Sequence, residues 1–326
     1  MMNNLKLLPL MAISALLLSC GTSQNNMKPE LYGMKCEFVP DGDTAVIYGK
    51  HLQNATVLFP DNMKAQIGKN SNDSMLTVVV PKGSIPGKLA VIANNDTVYS
   101  NFLFRDQRNM IIDFDQRLAS WGGFDPLDEE GNPITAIMET PDSVTKIPSK
   151  LPEGCDGNYA LLFGKYMHPW SMTQSMYIQY VANQLEGGRG NVSIAGPFSG
   201  YPLNQLALKF EVYIPATTPY TKVHTEIFFG PYDAPDKHGR DRSPIYFWEP
   251  FAKTGKYATT GWQTITIPLT QFTHGIHSST EKFPTPIDLK KATNFSFVQF
   301  GDTVGTKEPL ILMCVDNFRV VPISGD

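Results

Sequence analysis

The stretch Leu206-Ala207-Leu208-Lys209-Phe210-Glu211-Val212-Tyr213-Ile214 decides the fold class. Leu206, Leu208, Phe210, Val212 and Ile214 fall on one side of an extended chain, with Lys209 and Glu211 on the other. A period of two is the mark of a strand with one buried face. Thr264-Ile265-Thr266-Ile267 alternates in the same way. Working outward, strands are expected at 110–114, 159–163, 175–180, 223–229, 262–267, 295–300 and 310–320. Eight or so strands in about 215 residues, with no strong amphipathic helix, predict a β-sandwich of jelly-roll type over 106–326. Asp288–Ala292 is the one helical hint, worth a turn or two.

Upstream, short apolar or alternating segments recur at ~8–12-residue intervals, the spacing of a small all-β sandwich. They are Ala45–Tyr48, Thr56–Phe59, Leu76–Val80, Leu89–Ile92 and Asn101–Phe104. Turn residues separate them, as in Asp41-Gly42-Asp43, Pro86-Gly87 and Asn94-Asn95-Asp96. An immunoglobulin-like domain is therefore expected over 30–105. Arg105-Asp106-Gln107-Arg108-Asn109 reads as a short polar break before the larger domain.

Composition agrees with an all-β protein. Charged residues are 18% of 326, while 26 Gly and 25 Pro supply turns. The net charge of −4 comes without a basic stripe, which argues against a nucleic-acid partner.

The first residues read as a leader. Lys6 precedes an apolar run, Leu7–Leu18, too short to span a bilayer comfortably. The run ends in Leu17-Leu18-Ser19-Cys20, which resembles the bacterial lipobox. That resemblance implies a signal peptide at 1–19, lipidation of Cys20 and a polar tether over 20–29. The chain would then be held at a membrane by acyl chains. Cys36, Cys155 and Cys314 remain. Their spacing offers no zinc motif, and their odd number excludes a fully paired framework. Cys314, inside an apolar run, is expected to be a buried, inert thiol.

A polysaccharide-cleaving sandwich would need paired carboxylates. Glu-x-Asp-x-Glu is absent, as are a nucleophile elbow and a phosphate-cradling loop. His224-Thr225-Glu226 puts two polar side chains on one strand face but lacks a further metal ligand there. A jelly-roll hydrolase or lyase using Glu226, Glu249 or His224 is the alternative reading. A structural adaptor acting through the first domain is a third.

The aromatic residues favour binding. All four tryptophans, Trp121, Trp170, Trp248 and Trp262, follow residue 120. A sugar ring stacks its C–H face on an exposed aromatic, whose face is electron-rich. Trp170, in Met167-His168-Pro169-Trp170-Ser171, and Tyr201, in Phe198-Ser199-Gly200-Tyr201-Pro202, are the leading platform residues. Tyr246, Trp248 and Trp121 are further candidates, Trp248 standing evenly between site and core. Trp262 begins an alternating strand and is expected at the core or its rim.

"GDTAVIYGKHL" and "VVVPKGSIPGKLAV" resemble strands and turns of the IPT/TIG module. With the lipobox, the junction "FLFRDQRNMIIDFD", "YPLNQLALKFEVYIP" and the terminal "VDNFRVVP", the chain resembles surface glycan-binding proteins of Bacteroidetes, of the SGBP-B type. The resemblance implies a non-catalytic lipoprotein of a polysaccharide utilisation locus. It would face the cell exterior on the outer membrane and work beside a transporter and glycoside hydrolases. The implied ligand is a plant-type β-glycan: a β-glucan, xyloglucan or β-mannan. The implied site is an aromatic platform, placed at Trp170 and Tyr201. No cofactor is implied, although sandwich modules of this kind can hold a structural calcium, for which Asp316 and Asp113 are candidates. The tether departs from the family habit, since no acidic residue follows Cys20 directly.

Overall fold

The computed structural model describes residues 27–116, 121–123, 151–164, 176–181, 193–221, 224–230, 243–275, 278–300 and 311–325. Cys20 and Trp170 lie outside them. The architecture is all-β, and no α-helix occurs among the described residues.

The first sandwich contains β1 (Glu30–Met34), β2 (Thr44–Lys50), β3 (Thr56–Phe59), β4 (Met63–Lys64), β5 (Gln66–Ile67), β6 (Met75–Val79), β7 (Ala90–Ala93) and β8 (Asp96–Tyr99). Two antiparallel sheets, ordered β1-β2-β6-β5 and β4-β3-β7-β8, close over Ile47, Val57, Phe59, Val78, Val91 and Phe104. Asn101–Phe104 forms no strand; Phe104 makes a single bridge to Gly87. The ladder strand is instead β8, joined to β7 by a turn in which Asn94 and Asn95 take positive φ. Asparagine tolerates that conformation.

The second sandwich contains β9 (Met110–Ile112), β10 (Trp121–Gly123), β11 (Ala160–Gly164), β12 (Met176–Val181), β13 (Leu206–Tyr213), β14 (His224–Gly230), β15 (Ile245–Phe247), β16 (Gln263–Pro268), β17 (His274–Gly275), β18 (Ser278–Lys282), β19 (Asn294–Phe300) and β20 (Ile311–Pro322). One sheet runs β10-β12-β19-β14-β15-β17-β18. The other runs β11-β20-β13-β16, with β9 also paired to β20. Their inner faces meet around Phe210, which stacks on Phe318 at 5.2 Å and meets Trp248 and Phe297 edge-on. Asp288–Ala292 makes a single turn, with the Lys291 and Ala292 N–H groups donating to the Asp288 carbonyl.

The alternation in β13 is present, but its polar face is not solvated. Lys209 and Glu211 are 3% and 0% exposed. The first sandwich covers that face of the sheet, so the expectation of one buried face is corrected to two. Charges buried there require partners. Glu37, which follows β1, accepts from Lys209 Nζ at 2.6 Å and from an Arg319 guanidinium nitrogen at 2.7 Å. Glu211 accepts from Arg319 at 2.8 and 3.1 Å and from the Thr264 hydroxyl at 2.7 Å. Two acids therefore face two bases. Burial pushes the Glu211 carboxyl up, and the Arg319 charge pulls it partly back. Burial opposes the charge on Arg319, but Glu211 and Glu37 outweigh it and hold the guanidinium firmly protonated.

A bulge aims Arg319 into this cluster. Lys209 pairs with Arg319, yet Glu211 pairs with Asp316, so β20 carries one extra residue there. Asn317, inside the bulge, takes φ +53°. The junction is also tied down. Arg105 donates to the Ser84 and Val39 carbonyls and to Asp41, while Asn109 donates to the Ile194 and Val320 carbonyls. The predicted polar break is thus a bonded corner. Lys35 reaches across to Thr260, and the Thr264 N–H donates to the Lys35 carbonyl.

Candidate functional site

Tyr201 stands on a corner built by two short 3-10 turns, Gly196–Phe198 and Leu203–Gln205, which lead into β13. Pro197 is the second residue of the first turn and Pro202 precedes the second, so the two fixed φ angles set the corner's course. Ile194 and Ala195 anchor the segment in the core, and the Ser193 hydroxyl bonds the Leu289 carbonyl at 2.5 Å. The Tyr201 N–H donates to the Phe198 carbonyl at 2.9 Å. The Tyr201 ring meets Phe198 edge-on at 5.4 Å and stays 42% exposed. Arg108 lies over the Phe198 ring at 5.7 Å. Among residues of the second sandwich whose side chains are described, Tyr201 is the one aromatic left exposed.

Trp248 and Tyr246 are elsewhere. Trp248 is 4% exposed, packed against Phe210, Tyr220, Tyr257 and Phe297. Its placement on a platform is corrected: it is a core residue with no free ring face. Tyr246 stands opposite Ile227, a core residue, and packs against Phe272. It too faces inward, and burial pushes its phenol up. The two share a face because they are two residues apart, and that face is the inner one. Trp121 opens β10 at the edge of the seven-stranded sheet, opposite Gln179 of β12. Trp262 is half-buried between the sandwiches, meeting Tyr159 at 5.3 Å and Tyr213 at 6.1 Å, as expected for a rim residue. Its indole N–H donates to the Glu153 carbonyl. Gly261, at φ +95°, makes the turn that delivers it. The described residues therefore do not gather Tyr201, Tyr246 and Trp248 into one platform.

Reading the segment 245–248 for aromatic content alone missed Phe247. It pairs with Glu226, faces outward and meets the His274 ring edge-on at 5.6 Å. Phe228, Ile245 and Val298, all fully buried, form a small second core with it on the face of the seven-stranded sheet turned away from Phe210. Cross-strand register puts Trp121, Gln179 and Ser296 in one row of that sheet, and Glu226, Val298 and Tyr177 in another. Strict alternation from the core residue Ile227 was the signal that would have found this face. His224 and Glu226 do share it, and His224 pairs with Glu249 through Nδ1.

The calcium candidates do not form a ligand set. Asp316 is fully buried and accepts from the Asn317 N–H and the Cys155 thiol. Asp113 instead accepts from the Asp115 and Gln116 N–H groups, a local turn. Asp113, Asp115, Asp156 and Asn317 line a polar cavity of about 340 Å³. Among the described residues no group of three His, Cys, Asp or Glu side chains is arranged to hold a metal ion.

Comparison with known proteins places this architecture. A family model described as surface glycan-binding protein B xyloglucan binding domain matches residues 104–322. No curated protein matches the chain by sequence. Among solved structures, a surface glycan-binding protein from Prevotella bryantii aligns with 91% of this chain and 77% of its own, at 17% identity and TM-score 0.61. An SGBP-B from a complex xyloglucan utilization locus in Bacteroides uniformis aligns with 90% of this chain and 73% of its own, at 16% identity and TM-score 0.55. At such identities the likeness is one of fold.

Proposed function

The chain belongs to the surface glycan-binding protein B family, and from that premise we propose that it captures a β-linked plant polysaccharide, a β-glucan or xyloglucan first among them. The family binds glycans and does not cleave them. The match over 104–322, which spans the whole second sandwich, is the observation that carries the proposal. One relative's structure is described as being with a xylogluco-oligosaccharide.

Tyr201 is the described residue best suited to stack on a pyranose. Its ring is exposed, fixed by Phe198 and free of a competing buried partner. Trp170 and Trp121 complete the proposed set of stacking residues, from the sequence contexts given above. Two to three rings in a row would track a flat β-linked chain, each contributing apolar contact and C–H to π attraction. Neutral side chains suit a neutral polymer, and the low charged fraction of the sequence fits that ligand.

The leader and lipobox support export and lipid anchoring through Cys20 to the outer membrane. The first sandwich, resembling an IPT/TIG module, would hold the glycan-binding sandwich away from the membrane. There the captured polymer would be handed to a transporter and to glycoside hydrolases.

Affinity gel electrophoresis against a panel of soluble polysaccharides tests the proposal. Retarded migration in xyloglucan or mixed-linkage β-glucan gels, without release of reducing ends, is the expected result. Unretarded migration in every β-glycan gel would overturn it.

A further inference from the structure

Cys36 follows β1 of the first sandwich, and Cys155 precedes β11 of the second. The two are buried in one apolar cluster, at 5% and 3% exposure. Both line a cavity of about 270 Å³ between the sandwiches, beside Trp262. The Cys36 thiol donates to the Phe38 carbonyl at 2.9 Å and the Cys155 thiol to Asp316 at 3.5 Å, and after burial the neighbouring Cys36 thiol is the next cause that raises the Cys155 thiol. Neither residue belongs to a ladder strand. Cys314 sits in a separate cluster against Tyr159.

We propose that Cys36 and Cys155 form a disulfide that clasps the two sandwiches covalently, while Cys314 stays a thiol. Each thiol gives up its proton, the sulfurs join, and the two electrons reduce a disulfide of an exchange partner to two thiols. An exported chain meets such partners. Burial raises the Cys155 thiol well above the usual range, so thiolate is scarce once the sandwiches have closed. Exchange therefore belongs to the stage before they dock. The cross-link encloses the whole region between positions 36 and 155. A loop that long confers a large restriction on the unfolded chain.

The full chain, refolded from guanidinium with oxidised and reduced glutathione, provides the test. It is alkylated without reduction and peptide-mapped by mass spectrometry. The expected result is a peptide linking Cys36 to Cys155, with Cys314 alkylated. Reductant should then lower the thermal midpoint by on the order of 5 °C. Cys36→Ala and Cys155→Ala should each abolish that dependence on reductant, whereas Cys314→Ala should keep it. Recovery of Cys36 and Cys155 as separate alkylated or glutathione-capped peptides would overturn the proposal. So would a link from either to Cys20 or Cys314, or a reductant effect that survives Cys36→Ala.

Discussion

Arg319 and Glu37 stand 282 residues apart in the sequence and 2.7 Å apart in the fold. The contact joins the last strand of the second sandwich to the first sandwich, inside a cluster closed to water. A buried pair is costly to assemble and more costly to break, because the surviving charge is left without its partner. Glu37→Ala leaves the buried Lys209 without its carboxylate and Arg319 with Glu211 alone, and should destabilise the protein by about 3–5 kcal/mol. Urea denaturation measures it. High salt should reproduce little of the loss, since screening scarcely reaches a buried pair. A change below about 1 kcal/mol would mean the cluster contributes no more than a surface bridge.

The sequence made the parity of β13 legible and hid what covered it. Leu208, Phe210 and Val212 had to share a face, and they do. Lys209 and Glu211 looked solvated because nothing local announces that Glu37 and Arg319 will arrive opposite them. The same limit applies to Tyr246 and Trp248. Their common face was readable, but whether it was inner or outer depended on pairing with Ile227, a long-range fact. Strands such as β4, β5 and β17 are two residues long and carry no period. The strand that Trp121 opens was hidden by the Gly122-Gly123 that follows, a pair of weak strand formers. The exposed position of Tyr201, though not a role for it, was readable because its Pro and Gly neighbours mark a corner outside the ladders.

Asp316 should make stability fall as pH rises. Burial, then the nearby Glu211 charge, hold its folded carboxyl well above the ordinary range. Between the unfolded carboxylate value near 4 and that raised value, the folded state keeps a proton that the unfolded state has lost. The folded state binds more protons, so raising pH through this window removes stability. Glu211, also raised, adds a slope of the same sign. Asp316→Asn should flatten the profile and gain stability at neutral pH. Denaturation midpoints from about pH 4 to 8 will decide. A steeper profile in the variant would reverse the assignment.

Trp248 and Tyr246 should behave as core residues. Trp248→Ala removes a ring held by Phe210, Tyr220, Tyr257 and Phe297, and should cost about 3–5 kcal/mol. Tyr246→Phe should leave glycan affinity unchanged, measured by isothermal titration calorimetry with a β-glucan oligosaccharide. Tenfold weaker binding by a fully folded Tyr246→Phe protein would place the hydroxyl on the ligand after all.

Tyr201→Ala should do the opposite. The ring is 42% exposed, and its contact with Phe198 is a single edge-on meeting, so removal should shift stability by no more than about 0.5 kcal/mol. Loss of a stacking surface should weaken β-glycan binding at least tenfold, about 1.4 kcal/mol. Tyr201→Phe should retain most of the affinity, because the aromatic face rather than the phenol supplies the contact. Trp170→Ala and Trp121→Ala are expected to weaken binding to a similar degree. The Tyr201 effect should grow with oligosaccharide length until the chain spans the full row of rings. Unchanged affinity of Tyr201→Ala for every chain length would remove this corner from the binding surface.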